Sequence, residues 1–182
     1  MFDEVGVFDE RLVRNQDYEF NHRLARAGKR IWLNPAIKVQ YYNQATLGGL
    51  FRQAFGTGKW NPWMWYVAPY SFAYRHVIPS LFVLGLLLVL GSSFFVHRFL
   101  IGLGVILVPY FVLAFVAAFQ QAKRYGSSIP PSSFLIPQSS FLFLVLCLPL
   151  LFFTYHVSYG LGTLWGAVRL LFGATPVQGR RG

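Results

Sequence analysis

The chain has 182 residues, of which 55% are hydrophobic, 19% aromatic and only 12% charged. Its apolar residues come in bunched runs, which excludes an ordinary soluble domain and points to a membrane protein whose N-terminal third is polar. The net charge is +10, yet the 16 basic residues are scattered and flank apolar runs. Anionic lipid headgroups, or a phosphate-bearing substrate at the membrane surface, therefore suit it better than nucleic acid.

The first forty residues contain no apolar signal region and the N-terminus is acidic, which predicts no secretory signal and a cytoplasmic N-terminal part. The opening stretch MFDEVGVFDERLV reads as a loop with a turn at Gly6. All six acidic residues of the chain fall between Asp3 and Glu19.

Asn15 to Gly28 reads as one short helix. Asn15 suits the N-cap, Asp17 and Glu19 lie in the first turn, and Gly28 is placed to end the helix in a left-handed turn. Phe20, Leu24 and Ala27 share a face that can pack, while Arg23 and Arg26 stay wet. Glu19 and Arg23 form an i,i+4 pair on the exposed side. Asp17 stands where the free N–H groups and dipole of a helix start favour an anion, as a general base requires. The plain alternative is a helix-terminal charge with no further role.

After Gly28, Lys29 to Leu33 predicts a short strand, Asn34-Pro35 a turn, and Ile37 to Tyr42 a second strand with half-exposed alternation. Thr46 to Trp60 has helical spacing, with Leu47, Leu50, Phe51, Ala54 and Phe55 apolar and Arg52, Gln53 and Lys59 polar. Gly56 and Gly58 are expected to end or break it. The stretch 61–76 is crowded with Trp and Tyr, and reads as an interfacial segment on the cytoplasmic surface or the start of a kinked span.

Val77 to Val96 and Phe99 to Phe119 are long enough to cross a bilayer, joined by a tight turn at His97-Arg98. Gln120 to Ser133 reads as a polar loop, and Phe134 to His156 as a third apolar run with Pro137 and Pro149. Three spans are expected, with Tyr159 to Phe172 left open as a short fourth; residues 173–182 form a basic tail. His76, His97 and His156 sit at span edges, and Cys147 lies in an apolar run where no disulfide or metal site can be built from it. Neither a dinucleotide nor a Walker-type phosphate motif occurs, and there is no DxD pair to hold a divalent cation.

The run VGVFDERLVRNQDYEFNHRLARAGKRIWLNPAIKVQYY resembles the C-terminal part of the catalytic domain of family 2 glycosyltransferases. RQAFGTGKW, the apolar spans and HVSYGLGTLWG are similar to the membrane-bound exopolysaccharide branch, of succinoglycan type. The resemblance implies an α/β fragment of a GT-A-like nucleotide-sugar transferase domain over residues 1–60, followed by an all-α membrane region over 77–172. It implies Asp17 as the base for an inverting transfer, with Gln16 where many members have Glu. Phe8, Asp9 and Glu10 match the acceptor-side turn. Arg52, Gln53, Lys59 and Trp60 resemble the element that holds donor diphosphate and product, with Gly56 and Lys59 departing from its strict form; lysine lacks the planar fork of arginine.

The resemblance further implies a nucleotide-sugar donor and a polyprenyl-linked or polysaccharide acceptor. The setting it implies is multi-pass, in a bacterial-type inner membrane with the catalytic part cytoplasmic. Mg²⁺ or Mn²⁺ would be held by ligands outside this chain, in a donor-binding half that would precede Met1. The alternative is a non-catalytic membrane subunit or remnant that lacks that half.

Overall fold

The computed structural model describes residues 2–40, 44–92, 99–126 and 140–174. Every regular element among them is helical. In chain order these are α1 (Phe2–Val5), α2 (Gln16–Arg26), α3 (Leu47–Val67), short 3₁₀ turns at Pro69–Ser71 and Tyr74–His76, α4 (Ile78–Ser92), α5 (Phe99–Gly126) and α6 (Ser140–Leu171). The chain divides into two compact units, one of residues 1–81 with 158–182 and one of residues 82–157.

The expected α/β fragment is not what forms. Among the described residues there is no strand, and 29–40 run without regular structure. The reason lies in the surroundings of the run. A strand becomes stable when its N–H and C=O groups find a second strand and one face finds a core. Here Trp32 and Leu33 are 81% and 93% exposed and Val39 is 81% exposed, so the alternating pattern has nothing to pack against. The Asn34-Pro35 turn does form: the Asn34 side chain accepts from Ala36 N and its carbonyl from Ile37 N. Tyr41 and Tyr42 lie outside the described residues.

Helix α2 buries Phe20 and Leu24 as their spacing suggested, while Ala27, at its C-cap, is exposed. Gly28 closes it with φ +69°, as Gly28 N and Lys29 N reach back to the carbonyls of Ala25 and Leu24. Asn15 occupies the N-cap position without serving as a side-chain cap. It is left-handed (φ 63°), and its amide is spent elsewhere.

Helix α3 does not break at Gly56 or Gly58. It runs through Pro62 to Val67, with Thr46 Oγ1 capping Gly49 N. What the glycines do is admit another backbone. A Cβ on Gly58 would lie closer than 3.0 Å to the Tyr159 carbonyl, and one on Gly162 or Gly166 would meet the carbonyl of Phe55 or Lys59. Ala54, Gly58, Gly162 and Gly166 are the small residues, four apart on each helix, that let two helices touch main chain to main chain. The candidate fourth span, Tyr159 to Phe172, is thus the continuation of α6, which ends at Leu171.

In the unit of residues 82–157, Tyr110 lies between Phe82 and Phe153, with centroids at 4.7 and 5.8 Å, and its hydroxyl is 2.9 Å from His156 Nδ1. Most large apolar side chains on these helices point outward, among them Leu88, Val105, Leu113 and Phe143. Outward apolar surface is stable where lipid replaces water. Three helical stretches are long and apolar enough to cross a membrane: Tyr74–Ser92, Leu100–Arg124 and Phe141–Leu171. The helical stretch around the second extends past the expected Phe119 to Gly126, so the polar loop begins later; His97, Arg98 and 127–139 lie outside the described residues.

Candidate functional site

The polar residues of the unit formed by 1–81 and 158–174 gather around the start of α2. Two carboxylates in its first turn have opposite fates. Glu19 is buried, not exposed as the i,i+4 pattern suggested. Arg23 grips it with two hydrogen bonds of 2.9 Å, and the hydroxyl of Tyr70 donates to the same carboxylate. Burial and the Glu19 hydrogen bond push the Tyr70 phenol up to about 12. Arg23 also donates to the carbonyls of Val5 and Val7, at 2.7 and 2.9 Å, tying the N-terminal loop down. Glu19 is thereby committed to structure.

Asp17 is exposed, and has no hydrogen-bond or ion-pair partner among the described residues. At the first turn of α2 the free N–H groups favour a negative charge.

The Phe8–Glu10 turn packs against two helices. Phe8 lies on Phe20 with centroids 4.9 Å apart, and Trp63 Nε1 of α3 donates to the carbonyl of Arg11. Asp9 is held by Arg11 through its guanidinium, as close as 2.7 Å, and through its backbone N–H; these bonds keep its carboxyl below the usual range. Glu10 is exposed. Of the three acceptor-side candidates, then, Phe8 and Asp9 shape the turn and Glu10 offers a free carboxylate.

The four residues of the diphosphate element are not brought into one place. Arg52 and Gln53 line an open polar cleft together with Arg14, Gln44 and Gly49. Lys59 lines a separate notch with Trp63, Gly166, Arg169, Leu170 and Ala174. Trp60 is buried in the helix contact. Arg14, three residues before Asp17, escaped the sequence reading, and so did Arg169.

A polar chain also went unforeseen. Asn15 Nδ2 donates to Thr57 O at 3.2 Å and to Asn61 Oδ1 at 2.8 Å. Asn61 Nδ2 donates to the Tyr159 hydroxyl at 2.6 Å, and that hydroxyl is 2.6 Å from His76 Nδ1. It joins the start of α2 to α3, to the end of α6 and to the 3₁₀ turn at His76. His76 Nε2 is buried without a partner among the described residues. Tyr18 packs edge-on against His76 at 4.9 Å, next to Asp17 in sequence.

Among the described residues no three His, Cys, Asp or Glu side chains gather as a metal ion would require. Glu4 pairs with Lys29, Asp9 with Arg11 and Glu19 with Arg23. The described residues do not fit Mg²⁺ or Mn²⁺.

Fold and site together define a helical protein of membrane type, with a polar helical unit that presents free carboxylates, Asp17 and Glu10 among them, and two cationic clefts. Part of it is similar to the succinoglycan biosynthesis protein ExoA of Rhizobium meliloti (strain 1021). The two are 43% identical over 58 residues, which is 32% of this chain and 18% of that protein. The matched stretch thus spans less than a fifth of the relative's length. No family model matches the chain, and no solved structure does.

Proposed function

We propose that the chain works in exopolysaccharide synthesis, as part of a membrane glycosyltransferase of family 2. The observation that carries this reading is the segment similar to ExoA, a succinoglycan biosynthesis protein, together with the free Asp17 carboxylate at the mouth of α2. Three helices able to cross a membrane agree with a multi-pass protein. On this reading the polar unit faces the cytoplasm at a bacterial inner membrane.

The reaction is transfer of a sugar from a nucleotide-sugar to a lipid-linked or polysaccharide acceptor. Asp17 takes the proton of the acceptor hydroxyl as that oxygen attacks the anomeric carbon. The nucleoside diphosphate leaves from the opposite face, and the configuration inverts. Positioned general-base catalysis contributes roughly 10²–10⁴-fold. Glu10 and Phe8 flank the acceptor, while Arg52 and Gln53, which line one open cleft, serve donor diphosphate and product.

The test is genetic. Cells in which this chain is inactivated should lose an extracellular polysaccharide, and the wild-type sequence should restore it where Asp17→Asn does not. Unchanged polysaccharide in the inactivated cells would remove the chain from exopolysaccharide synthesis.

A further inference from the structure

The start of α2 is held in an unusual way. Asn15 opens the helix with its carbonyl, which accepts from Glu19 N at 3.0 Å. Yet its side chain caps nothing, and its backbone is left-handed at φ 63°. An unused cap and a left-handed backbone outside glycine both cost free energy. What offsets them is a pair of bonds to α3, from Asn15 Nδ2 to Thr57 O and to Asn61 Oδ1.

Those two bonds fix the direction of everything beyond them. Thr57 O can only accept, so Asn15 must turn its NH₂ toward α3, and Asn61 must meet that NH₂ with its oxygen. The NH₂ of Asn61 then faces the Tyr159 hydroxyl, whose oxygen accepts at 2.6 Å. The hydroxyl's own proton is left for His76 Nδ1, also 2.6 Å away, so that nitrogen accepts and the ring proton sits on Nε2. The hydrogen bonds therefore run one way, from Asn15 through Asn61 and Tyr159 to His76. There they meet α2 again. The His76 ring lies edge-on to Tyr18 with centroids 4.9 Å apart, and the neighbouring Arg75 donates to the Tyr18 hydroxyl at 3.3 Å. The chain of bonds leaves α2 at Asn15 and returns to it at Tyr18, on either side of Asp17.

We propose that Tyr159 is a positioning residue for Asp17, acting through this one-way chain. The Asp17 side chain is exposed, so its place is set by the backbone on either side of it. Glu19, Arg23 and Tyr70 hold the next turn of α2, and the Asn15–His76 chain holds the first. A catalytic group displaced by about an ångström loses much of its effect, of order 10²-fold. Tyr159 lies in the Phe141–Leu171 stretch and His76 in the Tyr74–Ser92 stretch, both able to cross a membrane. Residues of two such stretches thus set the place of Asp17. The inference rests on the reading above for the role of Asp17 as base. Its first test reads the hold on α2 without sugar transfer, so the two can fail separately.

The experiment follows backbone hydrogen exchange of the purified full chain in dodecyl maltoside micelles, at single-residue resolution. The amides of residues 19–21, which close the first turn of α2, are compared with Ala27 N at its far end. Tyr159→Phe should speed exchange at 19–21 by roughly tenfold, what one buried hydrogen bond returns, and leave Ala27 unchanged. Tyr110→Phe is the control: it deletes a hydroxyl that meets a different histidine, His156, and should leave 19–21 as in wild type. His76→Asn, whose side-chain oxygen can stand where Nδ1 accepted, should stay close to wild type, whereas His76→Phe should match Tyr159→Phe. If Tyr159→Phe does not fold, the two His76 variants decide. In membranes of the native host, Tyr159→Phe should lower kcat for sugar transfer by roughly tenfold or more with KM for the donor unchanged, and Tyr110→Phe should not. Unchanged exchange at 19–21, equal change in Tyr110→Phe, equal damage by His76→Asn and His76→Phe, or faster exchange with kcat unaltered overturns the proposal. Wild-type transfer by Asp17→Asn would instead defeat the reading of Asp17 as base, whatever the exchange shows.

Discussion

The side-chain amide of Asn61 donates to the hydroxyl of Tyr159 at 2.6 Å, across 98 positions of sequence. Both residues are buried, and the bond pins α3 to the end of α6 at the point where glycines let the two backbones touch. The same hydroxyl reaches His76 Nδ1, and Asn61 in turn accepts from Asn15. One phenol thus helps to set the position of α2, with Asp17 in its first turn.

Tyr159→Phe deletes that hydroxyl and leaves two buried polar groups short of a partner. Such a loss costs about 1–3 kcal/mol. Denaturant unfolding of the protein in micelles should show a decrease of that size, with helix content unchanged at low denaturant. An unchanged midpoint would mean that the polar chain contributes nothing to holding the helices.

Gly162→Ala should be far more damaging than a glycine substitution usually is. The new methyl would press on the carbonyl of Phe55 and the N–H of Lys59, both main-chain groups that cannot rotate away. Overpacking of this kind costs about 1–3 kcal/mol and occasionally more. Gly48→Ala, where a Cβ meets nothing within 4 Å, should be neutral or stabilising by at most about 1 kcal/mol. Equal midpoints for the two variants would refute the close contact of α3 and α6.

Glu19→Gln and Asp17→Asn should separate structure from function. Glu19→Gln breaks a buried ion pair, a change worth about 3–5 kcal/mol when both partners are buried. Arg23 is 25% exposed, so the lower end of that range applies. Asp17 has no such partner, and Asp17→Asn should shift stability by less than about 0.5 kcal/mol. Comparable unfolding midpoints for both would show that Glu19 is not the structural carboxylate.

Acid should loosen the N-terminal turn. The Asp9 carboxyl is held below the usual range by Arg11, so the stability it lends is fully present above the unfolded value. It fades as pH falls from about 4 through the lower folded value. Glu4, depressed by Lys29, acts in the same direction. Backbone hydrogen-exchange protection over residues 2–12, corrected for the intrinsic rate at each pH, should fall below about pH 4, and Asp9→Asn should already show the lower protection at neutral pH. Tyr70 has the opposite sign. Its raised phenol lends stability below about pH 10 that is lost as pH climbs toward about 12.

Much of this architecture can be read from residues in sequence. The Phe20–Leu24 face, the Gly28 stop and the three apolar runs are local patterns, and local patterns survive folding. Alternation over Ile37 to Tyr42 is equally local, but a strand needs a neighbour that alternation does not supply. Ile37 and Val39, 70% and 81% exposed, found none. Gly56 and Gly58 read as helix breakers because a glycine costs an isolated helix free energy; against α6, Gly58 gains a close contact. The place of Asp17 in the first turn of α2 was legible from the N-terminal pattern of that helix. The burial of Glu19 was not, because its partner Tyr70 lies 51 positions away. Arg169 was equally hidden, since only the packing of α6 on α3 brings it to Lys59.

Asp17 is the residue we propose as the base of a sugar transfer. Its most direct measurement is the rate of label passing from radioactive nucleotide-sugars into lipid-extractable and polymeric product, in membranes of the native host carrying Asp17→Asn. Protein level is matched to wild type by immunoblot, and Glu10→Gln serves as the comparison carboxylate. The account predicts a fall of roughly 10²-fold or more for Asp17→Asn and a much smaller change for Glu10→Gln. Transfer by Asp17→Asn within a few-fold of wild type, at equal protein level, would contradict it.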